Sequence, residues 1–218
     1  MRLPIAVASV LSICLAAAQT GAPTRENLGL TGDRFRPLKY DEMTPPQKTM
    51  IDHLLAGERR GNLGGPFNVL LRSPEMGDMA QQFGASMRFH ADLPVAARET
   101  VIIVVARYWM AQFEWTAHKR AALQAGVSPA IVDAIAAGRR PSGMDADVET
   151  AYSFITELLK THQVSDANFA AAKARFGEKG IVDMIGLSGW YSMVSMALNV
   201  DRYPTAQPEL NRLASPLP

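Results

Sequence analysis

Residues 98–126 read RETVIIVVARYWMAQFEWTAHKRAALQAG and decide the fold of this chain. The run Ile102–Val105 is short and apolar, so periodicity alone allows a buried strand or a buried helix, but length and helical neighbours favour helix. Glu114 and His118 are four residues apart, which places both on one face of a helix. The stretch therefore predicts helical core sequence that carries acid–base groups, with Glu99 near its start.

Helix-start signals and breaking residues divide the rest of the chain into short and medium helices. The segment Thr44-Pro45-Pro46-Gln47 combines a capping residue, first-turn prolines and a Gln three residues on, and predicts a helix to about Gly57. The Gly-rich residues 61–67 predict a loop, and Ser73-Pro74-Glu75 predicts the start of another helix. One stripe of that helix is apolar and consists of Met76, Met79, Phe83 and Met87.

In the second half of the chain, proline and glycine again mark the predicted helix ends. Strand pairs, hairpin dipeptides and tandem repeats are not evident in the sequence. This pattern predicts an all-α fold, a compact orthogonal helical bundle. Its further helices are predicted from Pro94 through the Arg98 region, from Ser128 to Ala137, from Asp145 to His162, from Ser165 to Phe176 and from Ile181 to Val200.

The two ends of the chain differ from the helical middle. Residues 1–18 resemble a secretory signal peptide, with Arg2 before an apolar run and three alanines before Gln19, although a retained N-terminal anchor is the alternative. Residues 19–42 predict an extended N-terminal segment, residues 43–203 the helical domain, and residues 204–218 a Pro-rich tail on the surface. We expect an exported protein, periplasmic or secreted.

Composition excludes several classes of function for the mature chain. Cys14 is the only cysteine and lies in the predicted signal, so removal of the signal leaves no thiol for a disulfide, a zinc–thiolate site or a cysteine nucleophile. The net charge of the full chain is +1, with both signs mixed along it. This distribution predicts no nucleic-acid partner and no anionic membrane surface as a partner.

The pair Glu114 and His118 supports two interpretations from spacing alone. The first is an ordinary surface or half-buried pair that stabilises its helix by a few tenths of a kcal/mol. The second is an acid–base pair in a pocket, where desolvation and mutual attraction shift both pKa values in opposing ways. Glu99 by itself also fits a first-turn acid that interacts with the helix dipole.

The sequence of residues 65–76, GPFNVLLRSPEM, and of residues 87–128 resembles the carboxymuconolactone decarboxylase and alkylhydroperoxidase superfamily. Residues 181–203 resemble the C-terminal helix of its decarboxylase branch less specifically. The resemblance implies the helical fold of that superfamily and self-assembly into a trimer or a multiple of it. These are expectations taken from the family.

The same resemblance assigns roles to single residues. Glu99 and His118 match the glutamate and histidine of the alkylhydroperoxidase proton relay. The two cysteine positions of the peroxidase branch hold Ala111 and Glu114 here, so thiol-based peroxide reduction does not carry over, even where a family label assigns peroxiredoxin activity. The decarboxylase branch, which works without a redox pair, is the closer guide.

These observations lead to one main hypothesis and two alternatives. The main hypothesis is a cofactor-free acid–base enzyme in which His118, Glu114 and Glu99 catalyse decarboxylation or isomerisation of a small lactone or carboxylate. The alternatives are a member of the same fold that binds a small hydrophobic molecule without chemistry, and a scaffold without a ligand. The aromatic-acid decarboxylases of the family are usually cytoplasmic, whereas we expect this chain to be exported, so the substrate, though not the fold, stays open.

Further candidates are weaker on residue type alone. Arg88 could pair with a substrate carboxylate through its planar guanidinium, Asn68 could offer an amide, and Trp115 could line the pocket. Each of them also has an ordinary structural interpretation, as a solvated helix end, a turn cap or a core residue. The spacing of Glu99, Glu114 and His118 matches no zinc signature, so we predict no metal and no cofactor.

Overall fold

The computed structural model describes residues 22–58, 63–205 and 208–210, and all regular structure in them is helical. This confirms the predicted all-α class. A 3-10 turn at Tyr40–Glu42 precedes the first helix, and the predicted signal peptide lies outside the described residues. The helices are α1 (Pro45–Ala56), α2 (Phe67–Leu70), α3 (Pro74–His90), α4 (Val95–Tyr108), α5 (Gln112–Gln124), α6 (Pro129–Ala136), α7 (Ala146–Thr161) and α8 (Asp166–Asp201).

Capping residues set the helix starts that the sequence predicted. The backbone N–H of Thr44 donates to Gln47 Oε1 over 2.9 Å at the start of α1. The Asp145 carboxylate accepts from the first free N–H groups of α7, and the Ser165 hydroxyl does the same for α8. These side chains satisfy donors that have no partner within the helix, which explains why boundaries were predictable here.

Two features of the fold are not among the predicted elements. Residues 67–70 form the short helix α2, which begins at the last residue of the predicted loop 61–67. Within residues 98–126, Met110 has φ 53° and separates α4 from α5. Arg107 fixes this turn: its Nη1 lies 2.9 Å from the sulfur of Met110, and its Nε donates to the carbonyl of Ala136.

Helix α8 contains a break at the glycine that the sequence marked as a helix end. Gly177 has φ 69° and ψ 179°, so the residues before and after it form two helical pieces, close to the predicted segments 165–176 and 181–200. By length and composition α8 could cross a membrane, and 56% of its most apolar window is buried inside the fold. A core helix meets the same criteria, so they do not argue for a membrane span.

Helix α4 forms the centre of the core. Residues 99–107 are all buried, and α4 packs against α5, α7 and α8. A helix that is enclosed on every side needs apolar residues all round, which is why its sequence shows no polar face. Glu99 is therefore an ionisable residue in the interior, and its charge requires partners supplied by neighbouring helices.

Helix α3 faces the core with glycines rather than with its methionine stripe. Gly77 and Gly84 are buried, whereas Met79 is 68% exposed and Phe83 is also exposed. A Cβ atom at Gly84 would lie 2.3 Å from the Trp190 ring of α8. The close contact of α3 with α8 requires glycine there, and it leaves most of the longer apolar side chains outside.

The N-terminal segment is fastened to the end of α8 by a buried carboxylate. Asp201 accepts hydrogen bonds from the backbone N–H groups of Asp33, at 3.2 Å, and Phe35, at 2.8 Å. Asn68 donates from Nδ2 to the carbonyl of Phe35 over 2.6 Å. The segment therefore packs with the helical part of the fold, although residues 22–39 contain no regular secondary structure.

We predict that Gly84→Ala destabilises the protein, because the added methyl group overlaps the Trp190 ring. The expected loss in free energy of unfolding is about 1–3 kcal/mol, measured by urea denaturation. Gly189→Ala on α8 is the matched control, since no atom lies within 4 Å of its Cβ position. That variant should be neutral or more stable, and equal effects of the two substitutions would contradict the packing described here.

Candidate active site

Side chains from four helices converge on His118. Glu99 lies on α4, Glu114 and His118 on α5, Arg88 near the end of α3, and Tyr191 on α8. Their side chains are buried except that of Arg88, which is 28% exposed. The break at Met110 separates α4 and α5, and the packing of these helices brings Glu99 to His118 across nineteen residues of sequence.

Glu99 divides its two carboxylate oxygens between different partners. Oε2 lies 2.7 Å from His118 Nδ1, and Oε1 accepts from Arg88 Nη1 over 3.1 Å. Arg98 Nε is 3.9 Å from Oε1. With one oxygen on the histidine and the other facing two guanidinium groups, the orientation of the buried carboxylate is fixed.

The other nitrogen of His118 faces a second carboxylate. Nε2 lies 3.3 Å from Glu114 Oε2, a longer contact than the one between Nδ1 and Glu99. The two residues are one helical turn apart on α5, as the spacing predicted. At the position where the resembling peroxidases carry their second thiol, this chain therefore places a carboxylate against the imidazole.

Tyr191 covers the imidazole ring. Its ring centroid is 4.9 Å from that of His118 at an interplanar angle of 79°, an edge-on arrangement. Burial raises the pKa of the Tyr191 phenol, although the nearby Arg88 guanidinium works against this. The phenol hydrogen bonds with Arg88, so α8 contributes both a wall and a polar contact to the site.

The charges of the site favour a protonated histidine. Burial alone would lower the pKa of His118, but hydrogen bonds and attraction from Glu114 and Glu99 outweigh it and raise the pKa above the usual 6.5. Burial alone would raise the pKa of Glu99, but its bond to His118 and the attraction of Arg88 lower it below 4.5. These shifts favour a carboxylate–imidazolium pair of Glu99 and His118, up to a higher pH than a free histidine would allow.

Arg88 approaches both members of this pair. Its Nη1 lies 3.1 Å from His118 Nδ1 as well as 3.1 Å from Glu99 Oε1. Because the imidazolium Nδ1 donates to Glu99, Arg88 cannot also donate to that nitrogen. The bond of Arg88 is therefore to the carboxylate, and its charge holds Glu99 ionised beside the histidine.

The structure brings together four of the six predicted site residues. Glu99, Glu114, His118 and Arg88 form the cluster. Trp115 is buried in the hydrophobic core, where it hydrogen bonds with Glu209.

Asn68 lies elsewhere, in the buried contact with Phe35 beside Asp201. Its side chain is fully buried there, so the amide serves the attachment of the N-terminal segment. Asn68 is the second residue of the short helix α2.

Two residues of the cluster were missed by sequence reasoning. Tyr191 lies far along the chain in a helix that had only general resemblance to the family, and its role depends on how α8 packs. Arg98 is adjacent to Glu99, and a charged pair at the start of an apolar run was a signal that could have been used.

The cluster has little capacity for a metal ion. Both imidazole nitrogens of His118 are occupied by carboxylates. Across the described ranges, no group of three or more His, Cys, Asp and Glu side chains has the arrangement of a metal site.

We predict that His118→Gln destabilises the protein most between pH 4.5 and 6.5. The raised pKa of His118 contributes stability that is complete below 6.5 and is lost as the pH rises through the folded-state value. The lowered pKa of Glu99 contributes stability that is complete above 4.5 and is lost as the pH falls through its own folded-state value.

Urea denaturation of both proteins at about pH 5.5 and about pH 9 measures this difference. The difference in free energy of unfolding between wild type and His118→Gln should be smaller at the higher pH. His53→Gln is the control, because it removes a histidine that pairs with Asp78 over 2.8 Å but is 51% exposed. A gap for His118→Gln that stays constant or widens above pH 6.5 would show that the buried imidazole is neutral.

Comparison with known proteins agrees with the geometry. Residues 74–157, which include Arg88, Glu99, Glu114 and His118, match the family model of the carboxymuconolactone decarboxylase family. No curated protein and no solved structure matches the chain. The match confirms the resemblance for this part of the sequence, where residues 74–157 are similar to the carboxymuconolactone decarboxylase family.

Proposed function

We propose that this protein is a cofactor-free acid–base enzyme that decarboxylates or isomerises a small lactone or carboxylate. The observation that carries the proposal is the buried imidazole of His118 between two carboxylates, with Glu99 at 2.7 Å and Glu114 at 3.3 Å. Perturbed ionisable groups that contact each other in a buried position are typical of catalytic sites. The family domain supports the same class of activity.

The two nitrogens of His118 have different parts in the proposed chemistry. Nδ1 is held by Glu99 through a short charge-assisted hydrogen bond, so its proton stays in place and the ring keeps its orientation. Nε2 has the longer contact, to Glu114, and its proton is the one that transfers. Loss of that proton leaves a neutral imidazole whose Nδ1–H still donates to Glu99.

Decarboxylation and isomerisation both require His118 to transfer a proton at Nε2, beside Glu114. When a carboxylate leaves as carbon dioxide, the electron pair of the broken bond remains on the substrate, and the carbon that receives it takes up the Nε2 proton of His118. In an isomerisation, a proton leaves one carbon and returns to another, so neutral and protonated imidazole alternate. In the isomerisation the imidazolium proton stays hydrogen bonded to Glu114 between the two steps, whereas after a decarboxylation a proton from solvent restores the imidazolium.

Arg88 is the proposed contact for the negative charge of the substrate. It is the most exposed side chain of the cluster, and only its Nη1 is bound to Glu99. A guanidinium has five N–H donors, so others remain for a carboxylate or for a developing enolate oxygen. Peroxide reduction is not part of the proposal, because the site holds Ala111 and Glu114 where the peroxidases hold thiols.

We predict that His118→Ala slows turnover of the substrate by roughly 10²–10⁴-fold. The measurement incubates the chain without residues 1–18, and the variant, with carboxymuconolactone and a panel of small lactones and aromatic acids. Mass spectrometry then follows loss of substrate and release of carbon dioxide. Glu99→Gln should also reduce the rate, because the neutral amide holds the ring but does not stabilise its charge.

His53→Ala is the matched control and should leave the rate unchanged, since that exposed histidine pairs only with Asp78 among its described neighbours. Turnover by His118→Ala at the wild-type rate would refute the assignment. Turnover by none of the proteins would favour the alternative function, binding of a small molecule without chemistry.

We also propose that the chain associates with copies of itself through the outer faces of α3 and α8. Val182, Ile185 and Met196 of α8 are exposed, as are Met79 and Phe83 of α3. Phe83 lies 3.5 Å from the Cβ position of Gly186, so the apolar faces of the two helices are adjacent. Exposed apolar patches of this kind are common at protein–protein interfaces.

We expect the wild-type protein to be a trimer or a multiple of it by light scattering after size-exclusion chromatography. Ile185→Asp should shift it towards monomer, because a carboxylate would have to be buried in the interface. Glu178→Ala, an exposed change on the same helix, is the control. A monomeric wild type, or an assembly that Ile185→Asp leaves intact, would contradict this interface.

A further inference from the structure

A second cleft lies outside the acid–base cluster, between the α4–α5 turn, the end of α8 and the C-terminal segment. Its volume is about 880 Å³, within the range of small-molecule pockets. Trp109, Phe113, Arg202, Tyr203 and Pro208 are among its lining residues. None of the cluster residues described above lines it, so occupation of the cleft is separate from the proposed acid–base chemistry.

Flat aromatic side chains form the walls of this cleft. Phe113 and Tyr203 pack with ring centroids 4.4 Å apart at an interplanar angle of 52°. Trp109 and Pro208 also line the cleft and add flat surface to it. Such walls favour a planar, apolar ligand body, because aromatic faces bury large areas at fixed geometry.

The described lining of the cleft has a positive charge and no acidic side chain. Arg202 is exposed at the end of α8 and forms no ion pair within the part of the chain that the structure describes. Among the described lining residues it is the one with a charged side chain. By contrast, Lys119 nearby on α5 is paired with Glu209. A guanidinium in an aromatic cleft without an acid is suited to a ligand carboxylate.

Hydrogen bonding at the cleft also favours an acceptor on the ligand. Tyr203 Oη accepts from the backbone N–H of Gly65 over 3.1 Å, which leaves its own hydroxyl proton to donate. Asn199 already uses Nδ2 to donate to the carbonyl of Trp109. Arg202 and the Tyr203 hydroxyl are therefore two donors among the lining residues that a ligand carboxylate could use.

The walls are held in place before any ligand arrives. Gln112 binds the C-terminal segment through two hydrogen bonds. Its Nε2 donates to the carbonyl of Leu210, and its Oε1 accepts from the Leu210 N–H, each over 2.8 Å. Met110 and Arg202, two of the three described non-glycine residues with positive φ, both line the cleft. Left-handed backbone at such residues is common at ligand sites.

We propose that this cleft binds a small aromatic monocarboxylate, with the ring against Phe113, Tyr203 and Trp109 and the carboxylate on Arg202. The binding goes beyond the proposed catalytic function, because it uses no acid–base residue. It defines a second site for an organic acid on the same domain.

Isothermal titration calorimetry of the chain without residues 1–18, with benzoate and with benzamide, tests the proposal. Benzamide has the same ring without the charge. We expect saturable binding of benzoate that is clearly tighter than that of benzamide. Arg202→Gln should weaken the affinity for benzoate about tenfold or more, because a charge-assisted hydrogen bond is lost. The variant should then no longer bind benzoate more tightly than benzamide.

Two variants complete the experiment. Arg202→Lys keeps the charge and should retain most of the preference for benzoate. Arg139→Gln, which removes an exposed arginine outside the cleft, should bind benzoate like wild type. Equal binding of benzoate and benzamide, no benzoate binding, benzoate binding that survives Arg202→Gln, or its loss in Arg139→Gln would each overturn the proposal.

Discussion

The hydrogen bond between Glu99 and His118 is the constraint on which the arrangement of the core depends. A carboxylate inside the central helix α4 would be costly without compensation, and the imidazolium at 2.7 Å supplies an opposite charge and a donor at once. Arg88 donates to the remaining oxygen, so the Glu99 side chain connects α4 to both α3 and α5. Removal of either partner would leave a buried charge, and the interaction is therefore both structural and chemical.

The turn between α4 and α5 makes that hydrogen bond possible. A continuous helix through residues 98–126 would carry His118 away from Glu99 by about 1.5 Å per residue. The left-handed conformation of Met110 ends α4 and allows α5 to pack against it. Arg107 stabilises the turn through Met110 and the carbonyl of Ala136. The same turn forms one wall of the second cleft, so both proposed sites depend on it.

Sequence reasoning succeeded where local chemistry decides the outcome. Helix starts followed from Thr44, Asp145 and Ser165, and the pair Glu114–His118 followed from helix periodicity. It was incomplete where tertiary packing decides. The Trp190 ring lies so close to α3 that only a glycine fits against it. Gly84 therefore faces inward, and most of the methionine stripe does not. Tyr191 contacts His118 because of how α8 packs, and no local sequence pattern predicts this contact.

The charge of His118 is the central claim, since acid–base chemistry and core stability both rest on it. The direct measurement is an NMR titration of its imidazole nitrogens in the wild-type protein and in Glu99→Gln. The account predicts a doubly protonated ring that persists above pH 6.5 in the wild type, and a lower pKa in the variant. A ring that is neutral at pH 6.5, or a pKa that Glu99→Gln leaves unchanged, would contradict it.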